Sequence, residues 1–386
     1  MYITSADKLK EFCDNLQSAE VLVVDTEFVR ERTYFHRIGL IQVGGGEHFA
    51  AIDPIALPDM TPLLELLKDP KKIKVFHAAR QDLEILVRLC GQVIPPVFDT
   101  QIAAALVGWG TQISFAKIVH KALGKKIHKS ETYTDWCRRP LSDNQIEYAI
   151  DDVRYLMPVY KKLVDRLTRM GRLEWVRGEV MDWEDPKTFA LPDPKKRFMK
   201  IKNLRSLKSR NLTVLQEIAA WREGEAVKRD CLAKAIIRDE TLLEIARKIP
   251  RDTKTLSGIR GMYQKEMSKG GVAILKAIET AMEVAENDLI ELPESNGHAT
   301  TRGVEELLAA YVQIRSEELK IEPSVLADRK KIHSLVTYFE QKQDIEEHIL
   351  FQGWRKELIG IPMFSLLSGK MGLKIDPSGQ VCLISS

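Results

Sequence analysis

The stretch "VLVVDTEFVR", residues 21–30, runs an apolar segment straight into two acids. Val21-Leu22-Val23-Val24 reads as a strand buried on both faces. Side chains alternate along a strand, so Asp25 and Glu27 project to the same side, one pleat apart. Two carboxylates that close repel, and each raises the other's pKa unless a positive charge lies between them. A strand ending in a polar turn accounts for a lone D-x-E, and so does a divalent cation held by both acids. The rest of the chain has to decide.

At 386 residues the chain is too long for one ordinary domain, and two or three are expected. A hydrophobic share of 44% and a charged share of 29% describe a soluble globular protein. No apolar h-region follows Met1, and no run approaches the roughly 18 apolar residues of a membrane span. The five cysteines are scattered without C-x-x-C spacing, which argues against a disulfide framework and a zinc site and suits a reducing cytosol. Cytoplasmic location, no membrane partner and a monomer are the resulting expectations. The net charge of +3 says little, but its distribution says more. Between Lys187 and Arg210 there are nine Lys or Arg against the single Asp193. A solvated linker and a strap beside a polyanion site both fit that run.

Strand and helix signals alternate over the first 160 or so residues. "RIGLIQVGGG", "EHFAAIDP" and "KIKVFHAA" read as strands and "MTPLLELLKD" as a helix, which makes an α/β domain with a mixed sheet. From Ser142 onward helical spacing takes over in "DNQIEYAIDDVRYLMPVYKKLVDRL". Residues 1–185 are read as this first domain and 186–210 as a basic linker. All-helical blocks follow at 211–288 and 300–386, the second ending in two short β-like runs around a Pro-Ser-Gly turn. A loose shared pattern suggests that the two blocks are a diverged repeat.

Two further acidic sites stand out. In "VFHAARQDLEIL" a strand breaks into a helix whose first turn holds Asp82, where an acid also complements the helix dipole. In "EYAIDDVRYL", Tyr148 and Asp152 are four apart and share a helix face. Asp151 lies near that face too, and periodicity does not choose between them.

Taken together, Asp25-Thr26-Glu27-Phe28, Asp82 within "HAARQDLE", and Tyr148-x-x-x-Asp152 resemble the three motifs of the DEDD exonuclease superfamily. The resemblance is to its tyrosine branch, and within that to the ribonuclease D family. The histidine branch would place a His where this chain has Glu147. Residues 211–285, with "AAWREGEAVKRD" and "LLEIARKIP", resemble an HRDC domain, and "FQGWRKELIG" in the last block resembles a second. The fold implied is a ribonuclease H-like α/β exonuclease domain followed by two all-α HRDC-like domains. Two departures are visible. His36 stands where the family commonly has Pro, and Arg80 falls within the second motif.

The resemblance implies a 3′–5′ exoribonuclease that trims tRNA precursors and other small structured RNAs, releasing nucleoside 5′-monophosphates. Its implied catalytic set is Asp25, Glu27, Asp82, Tyr148 and Asp152. The four carboxylates would be ligands for two Mg²⁺ or Mn²⁺ ions, hard cations suited to oxygen donors. The family register selects Asp152 over Asp151. Tyrosine, with a pKa near 10, is a poor base at neutral pH, so Tyr148 is expected to position water. RNA contacts are expected from Phe28, His77, Arg80, Trp136, Arg139, Lys195, Lys196 and Arg197, with Phe76 and Tyr133 as further aromatics near the site. The helical blocks and the basic stretch are expected to add RNA affinity. A DNA-directed 3′–5′ exonuclease and a catalytically silent RNA-binding adaptor are the alternatives.

Overall fold

The apolar run does form a strand, and it runs longer than its hydrophobicity suggests: β2 spans Val21–Val29. It lies inside a six-stranded sheet with β1 (Tyr2–Ile3), β3 (Arg37–Gly45), β4 (His48–Ile52), β5 (Ile73–Phe76) and β6 (Val97–Asp99), in the order β1-β4-β3-β2-β5-β6. β2, β5 and β6 pair in parallel, β3 and β4 antiparallel. The sheet is therefore mixed, as read from the sequence. β1 and β6 were not anticipated, because two or three residues carry no legible alternation.

This computed structural model describes residues 1–127, 134–292, 299–379 and 381–385, and divides into two compact units. Residues 1–27, 38–189 and 296–386 form the first, and 28–37 and 190–295 the second.

In the first unit, α1 (Ala6–Asn15), α2 (Thr61–Lys68) and α3 (Arg80–Cys90) pack with Leu22, Val24 and Phe76 in one core. α4 (Thr100–Leu106), α5 (Phe115–Leu123), α6 (Asp143–Arg169) and α7 (Leu173–Val180) belong with Val23 and Val75 in another. Alternation along β2 thus sends successive side chains to opposite layers, and that decides what its acids can meet. α6 starts at a capping box, with Gln145 N–H bonded to Ser142 Oγ and Ser142 N–H bonded to Gln145 Oε1.

The second unit holds α8 (Ser209–Lys228), α9 (Ala233–Ile236), α10 (Asp239–Lys248), α11 (Thr253–Ser257) and α12 (Gln264–Glu283). The stretch read as a linker is mostly part of it. Residues 194–200 form a 3₁₀ helix, and Phe198, Ile201 and Leu207 are buried in this unit's core. Its basic residues flank apolar anchors, which a charge count passes over.

The C-terminal block holds α13 (Ala299–Leu319), α14 (Pro323–Leu326), α15 (Arg329–Glu340) and α16 (Ile361–Leu367), followed by the hairpin β7 (Met371–Ile375) and β8 (Val381–Ser385). It packs onto the sheet domain. Trp354 stacks on Trp175 with ring centroids 4.5 Å apart, and the Trp354 indole N–H donates to Glu179 at 2.9 Å. Arg355 binds the same carboxylate through both terminal nitrogens, and Arg172 donates to the carbonyls of Leu106 and Leu319. Glu179 thereby neutralises an arginine whose side chain is only 9% exposed.

Removing that carboxylate strands a buried charge, which typically costs about 3–5 kcal/mol. Glu179→Ala is expected to lose about that much in denaturant unfolding followed by tryptophan fluorescence, to which the Trp175–Trp354 stack contributes. A loss under about 1 kcal/mol would mean that the carbonyls of Val325 and Leu326, which also accept from Arg355, satisfy it alone.

Candidate active site

Asp25 and Glu27 project from β2 toward α6, where Asp152 meets them. One oxygen from each of these three half-buried carboxylates lies within 4.8 Å of the others. Tyr148, one helical turn before Asp152, lines the same cleft with Thr26, His77, Phe115 and Leu156, around a volume of about 260 Å³. Asp151 faces elsewhere and pairs with Arg154, which also binds Glu147 at 2.8 Å. The choice that periodicity left open is thus a matter of helix phase: Asp152 joins the cluster and Asp151 does not.

Asp82 arrives from the opposite layer. It is buried in the first turn of α3 and accepts a hydrogen bond from the Thr26 hydroxyl, the β2 side chain that points away from Asp25 and Glu27. It therefore lies beside the three-carboxylate group without belonging to it. Burial and then the charge of Asp25 hold its pKa well above the ordinary carboxylate range. Burial and the charge of Asp152 do the same to Asp25. Burial, then Asp25, Asp152 and Asp82, push Glu27 up to about 9. Tyr148 is raised as well, by burial first and then by Asp152, Glu27 and Asp25, and it hydrogen-bonds to Asp152.

Three oxygen donors within reach of one another, with a fourth acid adjacent, fit a divalent hard cation. The perturbing charges are the acids themselves, so a cation would relieve the strain that raises their pKa values.

Two supports were missed by sequence reasoning. Asp99, 1% exposed, caps α4 by accepting from the N–H groups of Gln101 and Ile102, and also accepts from those of Ala78 and Ala79. Ala78 has φ +61°, so this carboxylate steadies the strained turn that launches α3 and Asp82. The signal was present as an Asp-Thr before a helix, an N-cap pattern that reads as purely local. The second support is Gly39. A Cβ there would lie 2.4 Å from the Trp136 carbonyl, so only glycine lets the 136–139 segment lie against β3.

The expected RNA contacts divide sharply. Trp136 is 3% exposed and stacks on Tyr148 with centroids 6.2 Å apart, so it supports the tyrosine rather than a base. Phe76 is core, fully buried. Arg139 is also committed. It forks onto Asp53 at 2.6 and 2.7 Å and donates to the carbonyls of Trp136 and Gly39, so it clamps the segment that seats Trp136. His77 lines the cleft, its Nε2 donating to Ile113 O at 3.0 Å. Arg80 is exposed, donates to Thr188 O and lies over the Phe189 ring. Phe28 is half-buried, edge-on to His36 at 4.7 Å. In the basic stretch, Lys195 pairs with Glu217 and Arg197 with the buried Glu223, while Lys196 is exposed. Tyr133 lies outside the described residues.

Residues 1–168 match the 3′–5′ exonuclease family and 211–278 the HRDC domain family. Ribonuclease D of Granulibacter bethesdensis is 36% identical over 388 residues, covering 100% of this chain and 96% of that protein. Ribonuclease D of Gluconacetobacter diazotrophicus is 36% identical, covering 97% and 94%. The crystal structure of Escherichia coli RNase D, an exoribonuclease involved in structured RNA processing, superposes with a TM-score of 0.84 at 32% identity, covering 96% of this chain and 98% of that one. A mixed sheet presenting clustered acids, followed by an HRDC domain, defines a 3′–5′ exonuclease. Within that class the chain belongs to the ribonuclease D family, and it is an exoribonuclease.

Without metal, Glu27 keeps in the fold a proton that the unfolded chain releases near 4.5, up to about 9. The folded state then binds more protons, so its stability falls as pH rises through that window. In chelator the melting temperature of the wild type should drop between these limits relative to Glu27→Gln. A difference that stays flat, or grows in favour of the wild type, would show that Glu27 is not held protonated.

Proposed function

We propose that this cleft removes the 3′-terminal nucleotide of RNA, with Asp25, Glu27, Asp152 and Asp82 as metal ligands and Tyr148 as the positioning group. The observation that carries the reading is the meeting of Asp25, Glu27 and Asp152 from two elements, with their oxygens within 4.8 Å. Asp82, set apart through Thr26, suits a role at a second ion beside Asp25. Two Mg²⁺ or Mn²⁺ ions held by these carboxylates would supply a nucleophile at neutral pH and offset the charge that develops on the phosphate. In the net reaction a water oxygen joins the terminal phosphorus and the P–O3′ bond breaks. The shortened RNA keeps a 3′-hydroxyl, and a nucleoside 5′-monophosphate leaves.

A phenol has an ordinary pKa near 10, and in the metal-free cleft burial and the neighbouring acids raise that of Tyr148 further, so it keeps its proton at neutral pH. It therefore acts as a hydrogen-bond donor that orients water or phosphate, steadied by Trp136 behind it. Tyrosinate chemistry would need the opposite shift. His77 offers an edge of the cleft at which a terminal nucleotide can rest. Precursor tRNAs and other small structured RNAs are the proposed substrates. That choice draws support from the Escherichia coli relative's role in structured RNA processing. The division into a nuclease domain, an HRDC domain at 211–288 and an HRDC-like C-terminal block is part of the same reading.

Asp25→Asn should abolish turnover while metal-free stability holds or rises, since the burial and repulsion that disfavour the Asp25 carboxylate no longer apply, and stabilisation by Mn²⁺ should shrink. Retention of more than a few per cent of kcat would contradict its role. Asp152→Asn should lose most activity on 3′-labelled RNA, whereas Asp151→Asn loses several-fold at most, and the reverse order would displace the proposed ligand by one residue. Tyr148→Phe should keep Mn²⁺ stabilisation but lose about 10²-fold in rate. A loss under threefold would leave the hydroxyl without a role.

A further inference from the structure

α5 borders two clefts. Phe115, at its start, lines the acidic cleft. Lys117, His120 and Lys121 line a separate groove of about 780 Å³, floored by Trp109 and Ile113 and continued by Lys126. The two are tied together. The Ile113 carbonyl accepts from His77 Nε2 at 3.0 Å and from Gln101 Nε2 at 3.1 Å, so the loop that floors the groove is anchored to the wall of the acidic cleft.

The charge of this groove is one-sided. Lys117, His120, Lys121 and Lys126 are all exposed. Lys121 Nζ lies 3.3 Å from the Trp109 carbonyl, and neither Lys117 nor Lys126 has an ion-pair partner among the described residues. Among the described lining residues the acid is Glu322, which accepts from the Thr111 hydroxyl at 3.3 Å. Lys117, His120 and Lys121 share one helix face by their spacing. An apolar, aromatic floor under a row of lysines is a surface for a chain that alternates flat apolar groups with negative charge. Single-stranded nucleic acid has that chemistry, its bases stacking on aromatics and its phosphates meeting ammonium groups without regard to sequence. An acidic helix would satisfy the lysines but offers no flat base to lie beside Trp109, whose ring already carries the Arg166 guanidinium 5.5 Å from its centroid.

We infer that this groove holds the RNA nucleotides lying 5′ of the one being removed, with Lys117, Lys121 and Lys126 on their phosphates and Trp109 beside a base. The inference rests on the acidic cleft being the cutting site. It gives the enzyme a grip on the substrate in its first unit, independent of the HRDC domain. It also gives Glu322 a function: the C-terminal block contributes a negative charge that weakens the grip, which favours release and re-binding between cuts.

The test uses the full-length chain in two backgrounds. Binding of a single-stranded 12-nucleotide RNA is measured in the Asp25→Asn background with chelator. Turnover of a dinucleotide, too short to fill both clefts, is measured with Mn²⁺ in the otherwise wild-type chain. Lys117→Gln with Lys126→Gln should weaken 12-mer binding about tenfold and flatten the log–log salt slope by about 1.4, two contacts at about 0.7 each. Glu322→Gln should tighten 12-mer binding, an opposite sign that misfolding does not imitate. Both sets should leave dinucleotide turnover unchanged. Unchanged affinity and salt slope in the double variant overturn the inference, and so does an equal loss on the dinucleotide. Capture of an acidic helical peptide in preference to the RNA overturns it as well. Failure of the underlying assignment reads out separately, as RNA cutting by Asp25→Asn with Mn²⁺, while the binding arm still judges the groove.

Discussion

Like charges held together against their repulsion are the constraint on which this structure turns. Asp25, Glu27 and Asp152 converge with their oxygens within 4.8 Å, and Asp82 adds a fourth charge from behind the strand. In their ionised forms these carboxylates repel one another. The scaffold has to hold them, and it does so from both layers of the sheet. Val23 of β2 and Val75 of β5 lie in the core that carries α6, while Leu22 and Val24 of β2 and Phe76 of β5 lie in the core that carries α3. The cost appears as raised pKa values, and a cation would lift it, so the same crowding that destabilises the empty site creates affinity for metal.

Around this centre the supports are polar and specific. Asp99 collects four backbone N–H groups and so fixes the turn before α3. Arg139, forked onto Asp53, holds down the segment whose Trp136 backs Tyr148. Neither residue lines the acidic cleft. Each sets the position of a neighbour, Asp82 or Tyr148, at a tolerance that packing alone seldom supplies. The C-terminal block belongs to this scaffold too. Through Trp354 and Arg355 it caps the face of α7, so removing it would expose Trp175 and strand Glu179 as well as deleting a module.

Much of this was legible in the chain itself. The apolar run at 21–24, the helix after Ser142 with its capping Gln145, and the three acidic motifs are local patterns, and local patterns survive in sequence. Partners distant in sequence were not legible. Arg139 and Arg197 were expected to contact RNA, and the structure pairs them with Asp53 and Glu223, 86 and 26 positions away, because a free arginine and a paired one are spelled alike. Trp136 could be read as a core residue or a stacking aromatic, and it is 3% exposed.

The sequence by itself therefore determined the class of chemistry, four carboxylates and a tyrosine on a strand and two helices, because side-chain type and periodicity are written residue by residue. Only the tertiary structure decided which acids meet. Alternation on β2 sends Asp25 and Glu27 to one layer and Thr26 to the other, so Asp152 joins the first pair and Asp82 is held through Thr26. Helix phase turns Asp151 out to Arg154. The packing of α5 and Glu322 about one groove likewise appears in no local pattern, since it joins residues some 200 positions apart, Thr111 to Glu322. Proximity across such distances is set by how layers stack, and a linear chain does not record it until it folds.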